Sequence, residues 1–158
     1  MVELIFIFKE WLYNFVKEGV LMQLYNTSQY AIRVLNFIAN HSDNRLYSAK
    51  ELSEVLNIPY KFLTKIMGIL VKTGFISSIQ GREGGYELNK PASEIKLIDI
   101  LNTFIDDTDN ESCILGIGIC DSLNKCALHD QWMEPKSLMR KMFEETTLNN
   151  LTCKDCKL

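Results

Sequence analysis

The first 21 residues lack a long apolar run, and this absence argues against a membrane span or an export signal. The purely apolar stretch from Leu4 to Phe8 has five residues, whereas a spanning helix needs about 20. The opening also lacks a basic region and a small-residue cleavage site, which a secretory signal would carry. We therefore expect a cytoplasmic protein that does not insert into a membrane.

Acidic residues are absent between Asn57 and Arg82, although the whole chain is slightly acidic, with a net charge of -3 and a pI near 5.4. Residues 57–90 carry five basic and two acidic groups, so their net charge is +3. This segment is the candidate surface for a nucleic-acid backbone. On charge alone, cations that only solvate a helix and a hairpin explain the pattern equally well.

Composition indicates one folded domain. The chain has 158 residues, of which 47% are hydrophobic and 23% are charged, and these values exclude wholesale disorder and a disulfide mini-scaffold.

Residues 1–21 have three possible interpretations: an amphipathic helix on the body, a weak interfacial anchor, or an extension translated upstream of the real start. We favour the last, because the codons of Lys17-Glu18-Gly19 can spell a ribosome-binding sequence ahead of Met22.

Three helices are predicted in the first half. The apolar spacing predicts a helix over 27–40, and Ser48 with Glu51 has the form of a capping box that opens a short second helix, on which we expect Leu52, Val55 and Leu56 to line one face. Pro59 suits the first turn of a third helix. We expect the buried stripe of that helix to consist of Phe62, Leu63, Ile66 and Leu70.

A hairpin is predicted directly after the third helix. Residues 75–79 and 86–88 read as strands around a turn that contains Gly81, Gly84 and Gly85. Two helices with a short connection, followed by a hairpin, describe a winged helix-turn-helix. Lys61, Thr64 and Lys65 suit base contacts, whereas Lys72, Ser77 and Ser78 suit phosphates. The predicted DNA-contacting residues are Tyr60, Lys61, Thr64, Lys65, Lys72, Ser77, Ser78, Gln80, Gly81, Arg82, Gly84 and Gly85.

The second half is predicted to pair two subunits. A helical stripe runs over 95–104, and a long helical pattern starts near Leu128, with Pro135 as a kink or as the start of its regular part. The long pattern has an apolar side, and that side needs a partner, so we expect a two-fold homodimer that reads a pseudo-palindromic DNA operator. The predicted fold class is mainly α with a small β-hairpin wing and a long C-terminal dimerisation helix.

Five cysteines, an odd number, do not suggest structural disulfides in the cytoplasm. Cys113, Cys120, Cys126 and His129 follow the pattern C-x6-C-x5-C-x2-H, and three thiolates with an imidazole can converge on a metal centre. The pattern favours a metal over free thiols but does not choose between zinc and an iron-sulfur cluster. The terminal pair Cys153 and Cys156 is expected to lie in an unstructured tail.

From Met22 to Leu151 the chain resembles the IscR, NsrR and CymR type of bacterial winged-helix regulators. The matching segments are MQLYNTSQYAIRVL, SAKELSEVLNIPYKFLTKIMGILVKTGFI, SSIQGREGGYEL, the cysteine loop, CALHDQW and TTLNNL. This resemblance implies a homodimer with crossed long helices and an iron-sulfur cluster in each cysteine loop. It also implies that the state of the cluster sets the affinity for DNA.

The resemblance also implies a ligand set. IscR-like members use a histidine placed as His129 is, with a 2Fe-2S cluster, whereas NsrR-like members use a carboxylate from the first helix of the other subunit. Gln29 stands at that aligned position, and a neutral amide is a poor ligand. We therefore expect Cys113, Cys120, Cys126 and His129 around a 2Fe-2S cluster. The first spacing is six residues instead of the usual five, which leaves 4Fe-4S open. CymR-like members lack the cysteines.

These expectations together describe a DNA-binding transcriptional regulator, expected to act as a repressor, that senses iron-sulfur, redox or nitric oxide status. The alternative is a zinc-stabilised or clusterless winged-helix repressor that senses a small ligand or thiol oxidation. No nucleophile set, phosphate-cradling loop or paired-carboxylate site suggests an enzyme. The expected segments are an extension (1–21), a DNA-binding domain (22–91), the cysteine loop with the dimerisation helices (92–151) and a tail (152–158).

Overall fold

The computed structural model describes residues 26–41, 45–81, 83–104 and 113–151. The expectations for the extension, for Arg82 and for the terminal cysteines lie outside these ranges. The described helices and strands are α1 (Asn26–Asn40), α2 (Ala49–Leu56), α3 (Tyr60–Lys72), β1 (Ile76–Ile79), β2 (Gly85–Leu88), α4 (Leu97–Phe104) and α5 (His129–Glu145), with 3-10 turns at Ala92–Glu94 and Leu148–Leu151. The predicted fold class, mainly helical with a two-stranded antiparallel hairpin, is confirmed.

Helices α2 and α3 form the helix-turn-helix, and the turn between them is set by backbone hydrogen bonds. Asn57 adopts a left-handed conformation with φ of 51°. The Asn57 N–H donates to Glu54 O at 3.4 Å and the Ile58 N–H to Ser53 O at 3.1 Å, which is the Schellman arrangement that ends a helix. Pro59 directly precedes α3. Three residues, 57–59, therefore connect the two helices, and the hydrogen bonds of the turn fix the direction in which α3 follows α2.

The wing is a hairpin in which Ile76 pairs with Leu88 and Ile79 pairs with Gly85. The Tyr86 N–H also donates to Tyr47 O at 3.0 Å, so the segment before α2 bonds to the outer side of β2. The hairpin is thus attached both to the end of α3 and to the start of α2. This attachment holds the wing beside the helix-turn-helix.

The core lies where α1, α2, α3 and α4 meet. On α3 the buried residues are Leu63, Ile66, Met67 and Leu70, which follow the i, i+3, i+4, i+7 spacing of one helix face. Phe62 was expected in this stripe, but the structure leaves it exposed. Phe62 lies at the edge of this face, about 90° around the helix from its centre, and the packing of the neighbouring helices leaves it outside the core. Val55 of α2 is likewise exposed.

The C-terminal segment joins the core through α4. Leu97 N–H donates to Thr146 O at 3.0 Å and Leu148 N–H to Ile95 O at 2.8 Å, and both Ile95 and Leu148 are fully buried. The α4 helix begins at Leu97 and not at residue 95, because residues 95–97 are bonded to residues 146–148. Helix α5 continues on both sides of Pro135, so this proline does not mark its start. Within the described ranges, no helix is long and apolar enough to span a bilayer.

Candidate functional site

One face of α3 carries the lysines that the sequence assigned to DNA. Lys61, Lys65 and Lys72 are exposed, and Gly68 lies between them. The spacing i, i+4, i+7, i+11 places these four positions on one side of the helix, opposite the buried stripe. Thr64 is half-buried, and its hydroxyl donates to Lys61 O at 3.1 Å. The basic face is therefore continuous along three turns of α3.

The wing residues divide into exposed and buried positions. Ser78, Gln80 and Gly81 are exposed. The Ser77 hydroxyl is half-buried and donates to the Glu87 carboxylate at 3.2 Å. This donation places an acidic partner beside Ser77, which a phosphate would have to displace.

Two of the predicted tip glycines have structural roles. Gly84 is half-buried, and an added Cβ would lie 2.2 Å from Ile79 O. Gly85 is buried, and a Cβ there would lie 2.7 Å from Tyr47 O. Gly85 therefore departs from the prediction that it contacts DNA at an exposed tip, because β2 packs closely on the backbone of Tyr47.

The cysteine loop is folded by backbone hydrogen bonds around Cys113. The Cys113 N–H donates to Gly118 O at 2.7 Å, and the Gly116 N–H donates to Cys113 O at 2.8 Å. Gly116 and Gly118 have φ of 67° and 109°, values that favour glycine over residues with a Cβ. The two glycines thus permit the tight turn that brings the loop back towards Cys113.

The structure brings the four predicted ligands to one cavity. Cys120 Sγ lies 3.5 Å from His129 Nδ1, and the thiols of Cys113 and Cys126 lie close enough to affect each other's pKa. Cys113 and His129 are 8% and 6% exposed. The first turn of α5 holds His129 in place, because its N–H donates to Cys126 O at 3.1 Å.

The two thiols of the Cys113–Cys126 pair differ in their affinity for a proton. A backbone hydrogen bond at Leu115, followed by one from Cys126, lowers the pKa of Cys113, and the charge of Lys136 adds to this effect. The hydrogen bond to Cys113 raises the pKa of Cys126. A lowered pKa favours the thiolate of Cys113, and a thiolate is the form that binds a metal.

The cavity that these side chains line has a volume of about 180 Å³. Among the residues that the structure describes, no three His, Cys, Asp or Glu side chains are grouped closely enough to hold a metal ion. The lining residues are Cys113, Ile117, Ile119, Cys120, Asn124, Lys125, Cys126 and His129.

Two lysines near the cavity were missed by the sequence reasoning. Lys136 lies seven residues after His129 on α5, a spacing that returns a side chain to the same face of a helix and could have identified it. Lys125 is paired with Asp130 at 2.7 Å, and this ion pair links the end of the loop to the first turn of α5. Donation from Lys125 lowers the pKa of Asp130.

Helix α5 exposes much of its predicted apolar side. Leu138 is 61% exposed and Met142 is 52% exposed. Phe143 packs in part on the core. In the single chain, apolar surface therefore remains exposed at Leu138 and Met142, which lie about one turn apart on α5.

Comparison with known proteins identifies the family. The model of the family described as "Rrf2: Iron-dependent Transcriptional regulator" matches residues 24–154. The chain belongs to the Rrf2 family. This membership confirms the resemblance found in the sequence. It also agrees with the expectation that the protein is a transcriptional regulator rather than an enzyme.

Named members of the Rrf2 family match along most of the chain. The HTH-type transcriptional regulator NsrR of Oceanobacillus iheyensis is 34% identical over 131 residues, which cover 82% of this chain and 89% of that protein. The solved structure of T. potens IscR has a TM-score of 0.66 at 18% identity, covering 82% of this chain and 85% of that chain. The B. subtilis global cysteine regulator CymR has a TM-score of 0.69 at 19% identity, covering 83% and 96%. The two solved structures show that the fold is the winged-helix fold of this family.

Proposed function

We propose that this Rrf2-family transcriptional regulator binds a DNA operator as a cytoplasmic homodimer and that an iron-sulfur cluster sets its affinity. In this proposal the cluster is held by Cys113, Cys120, Cys126 and His129 and is of the 2Fe-2S type. The expected action is repression in response to iron-sulfur, redox or nitric oxide status. The observation that carries the proposal is that all four side chains line one cavity.

The number and type of the lining side chains fit a cluster with two irons. A 2Fe-2S cluster takes four protein ligands, and three cysteines and one histidine line the cavity. The lowered pKa of Cys113 favours its thiolate form. Lys136 adds positive charge beside Cys113, and this charge would partly offset the negative charge of three thiolates.

The position of the cavity suggests how its occupancy would reach the DNA-binding surface. When bound, the cluster would supply a crosslink that is sensitive to oxidants and to iron loss. His129 is the first residue of α5, and α4 and α5 pack on each other. Helix α4 packs on α1 in the same core that holds α3. A change in the loop would therefore alter how α5 is held, and with it the spacing of the two recognition helices in a dimer.

Iron and sulfide analysis after anaerobic purification tests this proposal. We expect a coloured protein with about two irons and two sulfides per chain, and we expect Cys113→Ser, Cys120→Ser and Cys126→Ser to lose colour. Asn124→Ala is the matched control, because Asn124 lines the same cavity but is not a ligand in the proposal. Colourless protein with stoichiometric zinc would contradict the cluster and favour a zinc-stabilised repressor.

Thiol oxidation is the second candidate, and the proximity of the Cys113 and Cys126 thiols is the observation that favours it. A thiolate beside a protonated thiol is an arrangement from which peroxide can form a disulfide, reducing the peroxide to water. The structural similarity to CymR shows a shared fold and does not decide this point. Metal-free protein whose DNA affinity changes after peroxide treatment, with a Cys113–Cys126 disulfide found by mass spectrometry, would favour this candidate.

A further inference from the structure

Phe62 occupies an unexpected position on the recognition helix. It is the third residue of α3, and its side chain is 59% exposed. Tyr60, on the same turn, is 56% exposed. Leu63 follows directly and is completely buried. The first turn of α3 therefore presents two aromatic rings outward while its next residue anchors the helix in the core.

The surroundings of Phe62 have the charge that a nucleic acid requires. Lys61 and Lys65 are exposed on the neighbouring face of α3, both within about 100° of Phe62 around the helix, and no acidic residue occurs between Asn57 and Arg82. A protein partner with a basic or neutral surface would gain nothing from these cations. The polyanionic backbone of DNA would be attracted to them.

The location of Phe62 on its helix indicates which part of DNA it would meet. In helix-turn-helix proteins the N-terminal residues of the second helix contact base edges in the major groove. The only apolar group on a base edge there is the methyl group of thymine, which apolar side chains including phenylalanine contact. Phe62 has no polar atom on its side chain with which to read any other base feature.

We propose that Phe62 reads a thymine methyl group in each half of the operator. This inference rests on the proposed DNA-binding function but not on the cluster. It assigns sequence discrimination to a residue outside the lysine face, so Lys61 and Lys65 would supply attraction and hydrogen bonds while Phe62 selects a T·A pair. Water leaves both the ring and the methyl group when they meet, which is the source of the preference.

The test compares thymine with deoxyuridine, which differs from thymine by the methyl group alone. The probe is the duplex recovered when the full-length protein, purified anaerobically, selects from a random-sequence DNA pool. Each thymine of this duplex is then replaced in turn by deoxyuridine, at the equivalent position of both half-sites. At one position we expect the affinity of the wild-type protein to fall about fourfold for each methyl group removed. A factor of this size corresponds to the loss of about one buried methylene group.

The variant Phe62→Ala should bind thymine and deoxyuridine duplexes equally at that position. Ile69→Ala is the matched control, because Ile69 is a partly exposed apolar residue on α3 two turns further along, and it should keep the full preference. Lys65→Ala should weaken binding to both duplexes by the same factor. Circular dichroism checks that each variant is folded, which is expected because Phe62 is exposed.

The outcomes separate this inference from the function on which it rests. If no duplex is enriched, the DNA-binding function itself fails. If a duplex is enriched but no deoxyuridine position weakens binding, or if Phe62→Ala keeps the wild-type preference, the assignment of Phe62 is overturned while DNA binding stands.

Discussion

At the scale of single residues, the glycines of this protein differ in what they contribute. Gly84 is required by the hairpin, since a Cβ would lie 2.2 Å from Ile79 O. Gly68 lies in the middle of α3, where a Cβ would have no neighbour within 4 Å. One glycine therefore permits a close approach of backbone, and the other lowers helix stability without a packing reason.

Alanine substitution should separate the two glycines. We expect Gly84→Ala to lower the free energy of unfolding by more than about 1 kcal/mol, because the backbone must move to admit the methyl group. Gly68→Ala should raise it by about 0.5–1 kcal/mol, since alanine favours the helix. Urea denaturation of both variants against the wild type measures these changes. A stable Gly84→Ala protein with an unchanged midpoint would show that the turn is not closed as described.

The exposure of Phe62 and the arrangement of the side chains around the cavity could not be predicted from the sequence. The apolar pattern of α3 fits a stripe with or without Phe62, and only the packing of α2 and α3 decides its exposure. The sequence pattern predicted the four ligands together. It could not show which of them lie next to each other. Their arrangement depends on how residues 113–126 fold around Gly116 and Gly118, and such a loop has no periodic pattern from which the fold can be predicted.

At the scale of elements, α2 depends on its capping box. The Ser48 N–H donates to the Glu51 carboxylate at 2.9 Å, and the Glu51 N–H donates to the Ser48 hydroxyl at 3.3 Å. Arg45 also pairs with Glu51. These local bonds were predicted correctly from sequence, because a capping box involves residues only three positions apart.

Removal of the cap should destabilise the helix-turn-helix. We expect Ser48→Ala to lower the free energy of unfolding by about 1 kcal/mol, as measured by urea denaturation, because one N–H at the start of α2 loses its acceptor. Ser53→Ala removes a hydroxyl from the same helix and serves as a comparison, since it loses only a hydrogen bond to Ile58 O. An unchanged midpoint for Ser48→Ala would contradict the role of the cap.

The same box predicts a dependence on pH. Donation from the Ser48 N–H and hydroxyl, with the charge of Arg45, lowers the pKa of Glu51. A group whose pKa is lower in the folded state contributes stability above its unfolded pKa and loses it as the pH falls through the folded value. The stability difference between the wild type and Glu51→Gln should therefore shrink as the pH falls below about 4. Unfolding curves across this range measure it, and a constant difference would refute it.

At the scale of the whole molecule, Leu138 and Met142 leave apolar surface exposed on α5, and we propose that a second subunit covers it. We expect Leu138→Glu to convert the protein to a monomer in light scattering after gel filtration, because a charge would be buried at the interface. Ser137→Glu adds the same charge at the neighbouring exposed position and should leave the dimer intact. A dimeric Leu138→Glu protein would place the interface elsewhere.

The basic face of α3 and the wing should determine how binding to DNA responds to salt. Lys72→Ala would leave one phosphate per subunit without its cation, so the slope of log affinity against log salt should become shallower by about 0.9 for each such phosphate. Lys141→Ala, on α5, should leave the slope unchanged. Titrations of the selected duplex at several salt concentrations measure both, and equal slopes for the wild type and Lys72→Ala would remove Lys72 from the interface.

The central claim is that an iron-sulfur cluster held by Cys113, Cys120, Cys126 and His129 sets the affinity of the protein for DNA. Its most direct test is the affinity for the selected duplex, measured anaerobically while a chelator removes iron in steps from one preparation. We predict that the affinity changes in proportion to the iron removed and returns when iron and sulfide are restored. An affinity that stays constant from the fully loaded to the iron-free protein would contradict the claim.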